Sequence, residues 1–592
     1  MPENTLQKPT SFFKRAKVAL PDFALGALLG TVVFLLIYGV STLNVTYDSW
    51  IYCGYIETDI IQSYGGWMYL RQAPWEWPLT VANNLAAPVG TSISFTDSVP
   101  LVGIFFKLFA PVLPQTFQYF GIYNLFNFAM QGGFAFLLLR GFKFSRVYTG
   151  LAALLFITAP VFVERAFRHS ALASQWLILA ALWLYFASRR PGVSFPIVGF
   201  TVVCTLAVGL HFYFLPMLYA IFLAAILYQI FARKKVLRYL LYLGGSFVPV
   251  LGMSYVLGIL TRGGDGSASG FGSYSLNLNA LFNPTSFNWY AADKRLAWST
   301  FLPVLPQHKQ QYDAFNYLGA GVLLVLCVMA VYGLVRLVAA VVKKQGAPLN
   351  RAWAFVKSHG GLFFVCGCLT VYAISNVVTL NASTLFTYPL PEFVLILCGI
   401  FRSSGRLFWV CNYLLILAAV VFVGRAPAGK WRTVVLAVVV AVQLADISGT
   451  LAQKHNYFAN GPLVEQTDYV TPGWQFMAEH YDNFYYLENL FYYDLTSGII
   501  RYNPKAQTNA ILANRGSFDG VFATYDEYAG LLKSGQPLPE NMVYVCENPE
   551  IFAEILQYLH PDARGYQVGR FYLFANPVPG NPLPEVLPLA AK

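Results

Sequence analysis

Charged side chains are scarce in this chain of 592 residues: Asp, Glu, Lys and Arg make up 11% of it, against roughly 25% in an ordinary soluble domain. So little charge cannot solvate the surface of several soluble domains, and that architecture is excluded. Acids are the scarcer sign, 28 against 39 Lys and Arg. No Gly-Lys-Ser/Thr follows the glycines of Arg262-Gly263-Gly264-Asp265-Gly266-Ser267, and no strand-like run leads into them, which excludes a nucleotide P-loop. Cysteine shows no zinc-ligand spacing. Cys204, Cys327, Cys366, Cys368, Cys398 and Cys411 lie in or beside apolar runs, where a thiol behaves as a small hydrophobe. Cys53 and Cys546 stand apart from these runs and are available for a disulfide in an oxidising compartment, for which sequence supplies no geometry. No cleavage-site pattern follows the first apolar run near Asn44, so that run reads as a retained anchor. No internal repeat is visible.

What fills the chain instead is hydrophobic, 57% of residues. Runs long enough to cross a hydrocarbon core, which takes about 20 residues, fall at 23–43, 118–139, 148–163, 172–187, 195–208, 212–231, 239–260, 315–341, 362–380, 408–423 and 434–447. The runs 99–113 and 385–401 are shorter and broken by Pro100, Pro111, Pro389 and Pro391, which places them as interfacial or re-entrant helices. The expected fold is an all-α polytopic membrane domain over 1–448, with about eleven transmembrane helices.

Lys and Arg near helix ends stay in the cytoplasm. An inside N-terminus puts Lys8, Lys14, Arg15 and Lys17 in the cytoplasm, followed by Arg140, Lys143, Arg146, Arg189 and Arg190. Arg233, Lys234, Lys235 and Arg238 follow, then Lys343, Lys344, Arg351, Lys357, Arg425, Lys430 and Arg432. The net charge of +11 is thus membrane topology and anionic-lipid contact rather than nucleic-acid binding. An odd number of spans in the inner membrane leaves the C-terminal part outside the cytoplasm.

Three outer segments interrupt the spans: 44–100, 261–314 and everything after 448. The first carries an aromatic stretch from Trp67 to Trp77 that suits a helix at headgroup level. The second is Gly- and Asn-rich and reads as a long mobile loop. Residues 449–576 regain ordinary charge and alternate strand-like with helix-like stretches, a small extracytoplasmic α/β domain. Residues 577–592 form a Pro-rich tail expected to be disordered.

Chemistry is carried by few residues. Asp59 follows the first span, with Glu57 before it and Gln62 three residues on, a spacing that also fits a helix capping box. Its functional reading is a general base at the membrane surface. Asp97 is the second acid of the loop, either an N-cap or an assistant to Asp59. One carboxylate there does not establish a metal site, so no metal ligand is assigned and no cofactor is firmly implied; a divalent metal remains compatible. Glu164, Arg165, Arg168 and His169 cluster at a span end, as interfacial anchors or as ligands of a lipid phosphate and sugar. His211 and Tyr213 can join them as substrate-binding groups, as can Gln62, with packing as the alternative role for His211. In Phe401-Arg402-Ser403-Ser404-Gly405-Arg406, two arginines four apart are suited to one phosphate. They break the inner-loop pattern of basic residues, which calls for an anionic partner outside.

The acidic pair in the first outer loop, the multi-span body and the C-terminal domain together resemble the GT-C superfamily of membrane glycosyltransferases. Thr58-Asp59-Ile60-Ile61-Gln62-Ser63 and Phe95-Thr96-Asp97-Ser98-Val99-Pro100-Leu101 look like a poorly characterised bacterial branch of it. The resemblance implies a polyprenyl-phosphate sugar donor, a glycan, lipid or protein acceptor in the cell envelope, Asp59 as catalytic base, and an inverting hexosyl- or pentosyltransferase. Two competing readings are a transporter or flippase of lipid-linked glycans, and a non-catalytic partner in envelope glycan assembly. Against transport, no pair of broken helices recurs in two matching halves.

Overall fold

A computed structural model describes residues 12–52, 58–262, 270–287, 295–343, 346–427, 429–459, 471–488, 493–513, 518–578 and 586–589. Among the described residues, eight helices are long and apolar enough to cross a membrane: Ala19–Tyr38, Phe120–Arg140, Ser170–Ser188, Phe214–Ala232, Val236–Val256, Ala320–Val342, Ser404–Arg425 and Trp431–Ala459. The chain is a multi-pass membrane protein. Asn350–Ser358 and Gly360–Ile374 form a ninth candidate, bent by 69°. Two expected spans, Arg146–Ile157 and Ile197–Leu210, are shorter apolar helices. The longer of them has 14 residues and reaches about 21 Å, short of the roughly 30 Å core.

The first span packs tightly on the helix Phe120–Arg140. A Cβ on Gly30 would lie 2.0 Å from the Phe128 carbonyl oxygen, and one on Gly132 would lie 2.2 Å from that of Gly26. Small residues thus set the approach of two backbones where lipid supplies no hydrophobic drive between helices.

The C-terminal part holds a six-stranded sheet in the order Val586–Leu589, Arg564–Val568, Phe571–Ala575, Met542–Cys546, Asn483–Tyr486, Gln507–Thr508. The first four pair antiparallel, and Asn483–Tyr486 runs parallel to both of its neighbours. Part of the Pro-rich tail is therefore ordered as an edge strand, because its backbone completes the ladder of Arg564–Val568. Cys546 is a buried free thiol in this sheet, and Cys53 lies outside the described residues.

Several expectations change. The helix Thr58–Gln72 is packed inside the protein rather than laid on its surface: Tyr64, Trp67, Met68 and Tyr69 are fully buried, and of the aromatic stretch only Trp75 and Trp77, beyond its end, are exposed. Its partner is the helix Tyr493–Tyr502 of the C-terminal part. The Tyr52 hydroxyl donates to the Ser497 carbonyl (3.1 Å), Tyr69 to that of Thr496 (3.2 Å), and Ser497 Oγ to that of Ile61 (3.1 Å). The segment 385–401 is not one helix. A hairpin of Val377–Leu380 and Ser383–Thr387 comes first, then the short helix Glu392–Gly399, and the preceding span stops at Ile374. The described parts of 261–314 are not a free loop either. Asn277, Asn279 and Asn283 are buried in side-chain hydrogen bonds, and Thr285–Phe287 pairs with Arg295–Ala297.

One ion pair clamps the C-terminal part to the first loop. Arg501 Nε lies 2.8 Å from Asp48 Oδ2 and its Nη2 2.9 Å from Oδ1, while the Tyr64 hydroxyl donates to the same carboxylate at 3.1 Å. Asp48→Ala strands that guanidinium and is expected to cost about 3 kcal/mol. Thermal unfolding in detergent should report the loss, together with faster proteolysis between the membrane and C-terminal parts.

Candidate functional site

Asp59 is the second residue of the helix Thr58–Gln72, where the positive end of the helix dipole favours its carboxylate form. It is half-buried. One turn along, the Ser63 carbonyl accepts the Ser98 hydroxyl at 2.6 Å, and Ser98 also bonds Thr96 at 2.6 Å. A Cβ on Gly66 would sit 2.1 Å from Thr96 Oγ1, so a glycine is required for the turn carrying Asp97 to press against this helix. That packing sets the turn carrying Asp97 against the helix that carries Asp59. Glu57 lies outside the described residues. Gln62 is not free for substrate: its amide donates to the Leu512 carbonyl and docks the C-terminal part.

Asp97 is no N-cap. It occupies left-handed backbone (φ 57), as does Val99 (φ 51), which caps the helix Pro100–Lys107 without a side-chain bond. Strain of this kind, about 1–3 kcal/mol per residue, persists only where the surroundings enforce it. Here it turns the carboxylate toward two histidines. His211 Nε2 is 3.3 Å from Asp97 Oδ1 and His169 Nε2 is 3.6 Å from Oδ2, with the imidazole planes at 88°. Burial alone would raise the Asp97 carboxyl; its hydrogen bond and electrostatic interaction with His211, with His169 and Arg406 adding to it, instead hold it below the ordinary carboxylate range. Burial holds the His169 ring well below its usual value, against the pull of Asp97. One ligating atom from each of the three lies within 4.8 Å of the others, so this group can hold a metal ion. They lie more than forty residues apart in sequence, which is why no spacing announced them.

The five expected phosphate ligands separate into two sets. Arg165 Nη1 and Arg406 Nη2 each lie 2.9 Å from the Asp313 carboxylate, and Arg165 Nη2 also bonds the Asp313 carbonyl at 2.6 Å. Arg168 pairs with Glu164, which also accepts from Ser286 and, at 3.1 Å, from Trp298 Nε1. These three arginines are therefore held in buried ion pairs, and Arg406, expected to share one phosphate with Arg402, is paired with Asp313. Arg402 differs. Among the described residues it has no ion-pair partner and lies over the Tyr274 ring, 5.6 Å from its centroid. Tyr213 stands under Arg406 at 4.9 Å, and its hydroxyl accepts the Ser403 N–H at 3.0 Å.

Tyr493 and Asp313 were not among the expected residues. Burial pushes the Tyr493 phenol up to about 12, with Asp59 and Asp97 acting in the same direction and Arg402 against them. Tyr493 is thus close enough to feel all three charges, and it comes from the C-terminal part. Nothing in the aromatic run around it distinguishes it in sequence. Asp313 was legible only as an acid just ahead of a span. Burial would raise its carboxyl, but Arg406 and Arg165 hold it well below the usual 3.8. The stabilisation it provides is therefore present above about pH 4 and lost only as pH falls through the depressed folded value. Asp313→Asn leaves two buried guanidinium groups without their counter-charge and should cost about 3–5 kcal/mol, measurable as a lowered Tm at neutral pH.

Comparison with known proteins gives two findings. The model of a family described as a domain of unknown function, DUF6311, matches residues 27–448. The crystal structure of the Archaeoglobus fulgidus oligosaccharyltransferase in complex with Zn and sulfate is similar at a TM-score of 0.38 and 11% identity, over 95% of this chain and 75% of that one. A similarity that low bears on neither site nor activity. No curated protein matches the chain. The family match spans most of the length and includes Asp59, Asp97, the histidines and Arg402, and by it the chain belongs to the DUF6311 family.

Proposed function

We propose that the protein is a membrane glycosyltransferase that takes a sugar from a polyprenyl-phosphate donor and passes it to an acceptor on the non-cytoplasmic side. The observation that carries this reading is the meeting of Asp59, Asp97 and Arg402 around the Tyr493 phenol, at the junction of the spans with the C-terminal part. The Asp59 carboxylate, together with the Arg402 guanidinium, which has no ion-pair partner among the described residues, matches the two demands of glycosyl transfer from a phosphate. The resemblance of the sequence around Asp59 and Asp97 to the GT-C superfamily points the same way.

In this mechanism Asp59 accepts the proton of the acceptor hydroxyl as its oxygen attacks the anomeric carbon. The bond from that carbon to the phosphate oxygen breaks, and Arg402 stabilises the negative charge gathering on the departing phosphate. Tyr493 stays protonated at neutral pH and is a hydrogen-bond donor for the same phosphate or for the acceptor. Arg165 and Arg406 hold the frame through Asp313. A lipid-linked donor suits a site on the non-cytoplasmic side, because nucleotide sugars belong to the cytoplasm.

Asp59→Asn is expected to reduce transfer at least about 100-fold, the scale of a lost general base, with Tm unchanged. Mass spectrometry of the glycan product in cells or with purified protein is the test; unaltered glycosylation removes Asp59 as the base, and altered lipid-glycan translocation without loss of transfer favours the flippase reading. Arg402→Ala should lose roughly 1.5–3 kcal/mol of phosphate interaction, read as an approximately tenfold or greater fall in kcat/KM for the lipid donor. An equal effect from Arg402→Lys and Arg402→Ala would mean that the forked geometry matters and not charge alone.

A further inference from the structure

We propose that Asp97, His169 and His211 form a binding site for one divalent first-row cation of the Zn2+ or Mn2+ type. Its ligands are His169 Nε2, His211 Nε2 and one Asp97 oxygen. The proposal stands on how these groups are placed and on what they leave unsatisfied.

His169 is buried, 5% exposed. Its Nδ1 has no hydrogen-bond partner among the described residues, and its Nε2 stands 3.6 Å from Asp97, beyond hydrogen-bond length. A cation on Nε2 supplies the bond that Asp97 is too far away to make, while Nδ1, which then carries the ring proton, keeps no acceptor among the described residues. Both Nε2 atoms face the same carboxylate, each toward a different oxygen, and the three ligating atoms lie within 4.8 Å of one another. Slight rotations of the side chains bring such atoms to about 2.0–2.2 Å from a common ion. The left-handed turn at Asp97 is what aims that carboxylate inward, so backbone strain is concentrated at the proposed ligand. Asp97 keeps 22% of its side chain exposed, which leaves one face open for water or an oxygen of a substrate.

Ligand chemistry selects the ion. Two imidazoles with one carboxylate suit transition-metal cations, whereas Mg2+ and Ca2+ prefer oxygen alone. The neighbouring positive charge of Arg406 is offset by Asp313, to which it is paired at 2.9 Å. One local contact opposes binding. The Tyr213 N–H donates to His211 Nδ1 at 3.2 Å, which leaves the proton of the neutral ring on Nε2, and a metal at Nε2 requires that proton to move to Nδ1. Binding therefore displaces the Tyr213 contact, and His169 carries no such penalty.

A cation placed here neighbours Asp59 and Arg402 through Tyr493, where it would face a donor phosphate. That location of its role rests on the glycosyl-transfer reading, while binding itself does not. The test uses full-length protein in nanodiscs, stripped with a chelator and titrated with Zn2+ and, separately, Mn2+ by calorimetry. One equivalent of one of these ions per chain is expected, with a rise in Tm. His169→Ala and Asp97→Asn should each weaken binding by more than the about 10–100-fold that loss of an outer-shell partner costs, and should abolish the Tm rise. Asp59→Asn should bind metal as wild type does even where transfer is lost, which separates this proposal from that of the base. X-ray absorption on the loaded wild-type protein needs no variant to fold, and two imidazoles in an all nitrogen and oxygen shell are expected. No bound equivalent of either ion, a shell containing sulfur, or unchanged affinity in a folded His169→Ala protein would overturn the assignment.

Discussion

The carboxylate of Asp313 holds two buried guanidinium groups, those of Arg165 and Arg406, each at 2.9 Å. Three stretches distant in sequence meet there: the end of the loop before Ala320, the turn before Ser170, and the turn that opens the span Ser404–Arg425. Taking like charges out of water is affordable in structural terms only with a counter-charge between them, so Asp313 decides whether this end of the bundle closes. Arg406, once fixed, stacks on Tyr213, and Tyr213 accepts the Ser403 N–H next to Arg402. The position of Arg402, which has no ion-pair partner among the described residues, follows from that chain of contacts.

A second constraint comes from outside the bundle. The helix Thr58–Gln72 carries Asp59 and is buried between the Asp97 turn and the helix Tyr493–Tyr502. Gly65 and Gly66 permit this on opposite sides: a Cβ on either would come within 2.1 Å of Ser497 Oγ or Thr96 Oγ1 respectively. The C-terminal part is therefore built into the site and does not merely stand above it. It supplies Tyr493, and the Asp48–Arg501 pair resists its departure.

Polar groups in this protein separate by whether their partners lie within the chain. Glu164 is saturated by Arg168, Ser286 and Trp298, and Asp446 accepts from Ser299, Tyr317 and the Ala320 N–H. These bonds tie the middle loop to the bundle and have a structural task. Asp97, His169 and Arg402 are arranged differently, with contacts that are longer or one-sided. That contrast, more than the presence of charge, is what sets the candidate ligand-binding groups apart from groups that satisfy each other.

The sequence by itself determined the membrane class and the position of most apolar helices, and it named Asp59, Asp97, His169, His211 and Arg402 as candidates. Hydropathy and composition are local properties, summed over neighbouring residues, so they survive without a fold. Helix length was less legible: 148–163 and 195–208 are apolar throughout, yet the first is broken into Arg146–Ile157 and the single turn Pro160–Val163, and the second is only Ile197–Leu210. Ion pairing was not legible at all. Arg165, Arg168 and Arg402 are equivalent as letters, and only tertiary contacts assign two of them to Asp313 and Glu164 while leaving the third toward Tyr274 and Tyr493. The same holds for the histidines and Asp97, since a shared ligand position depends on distances through space that no spacing along the chain encodes.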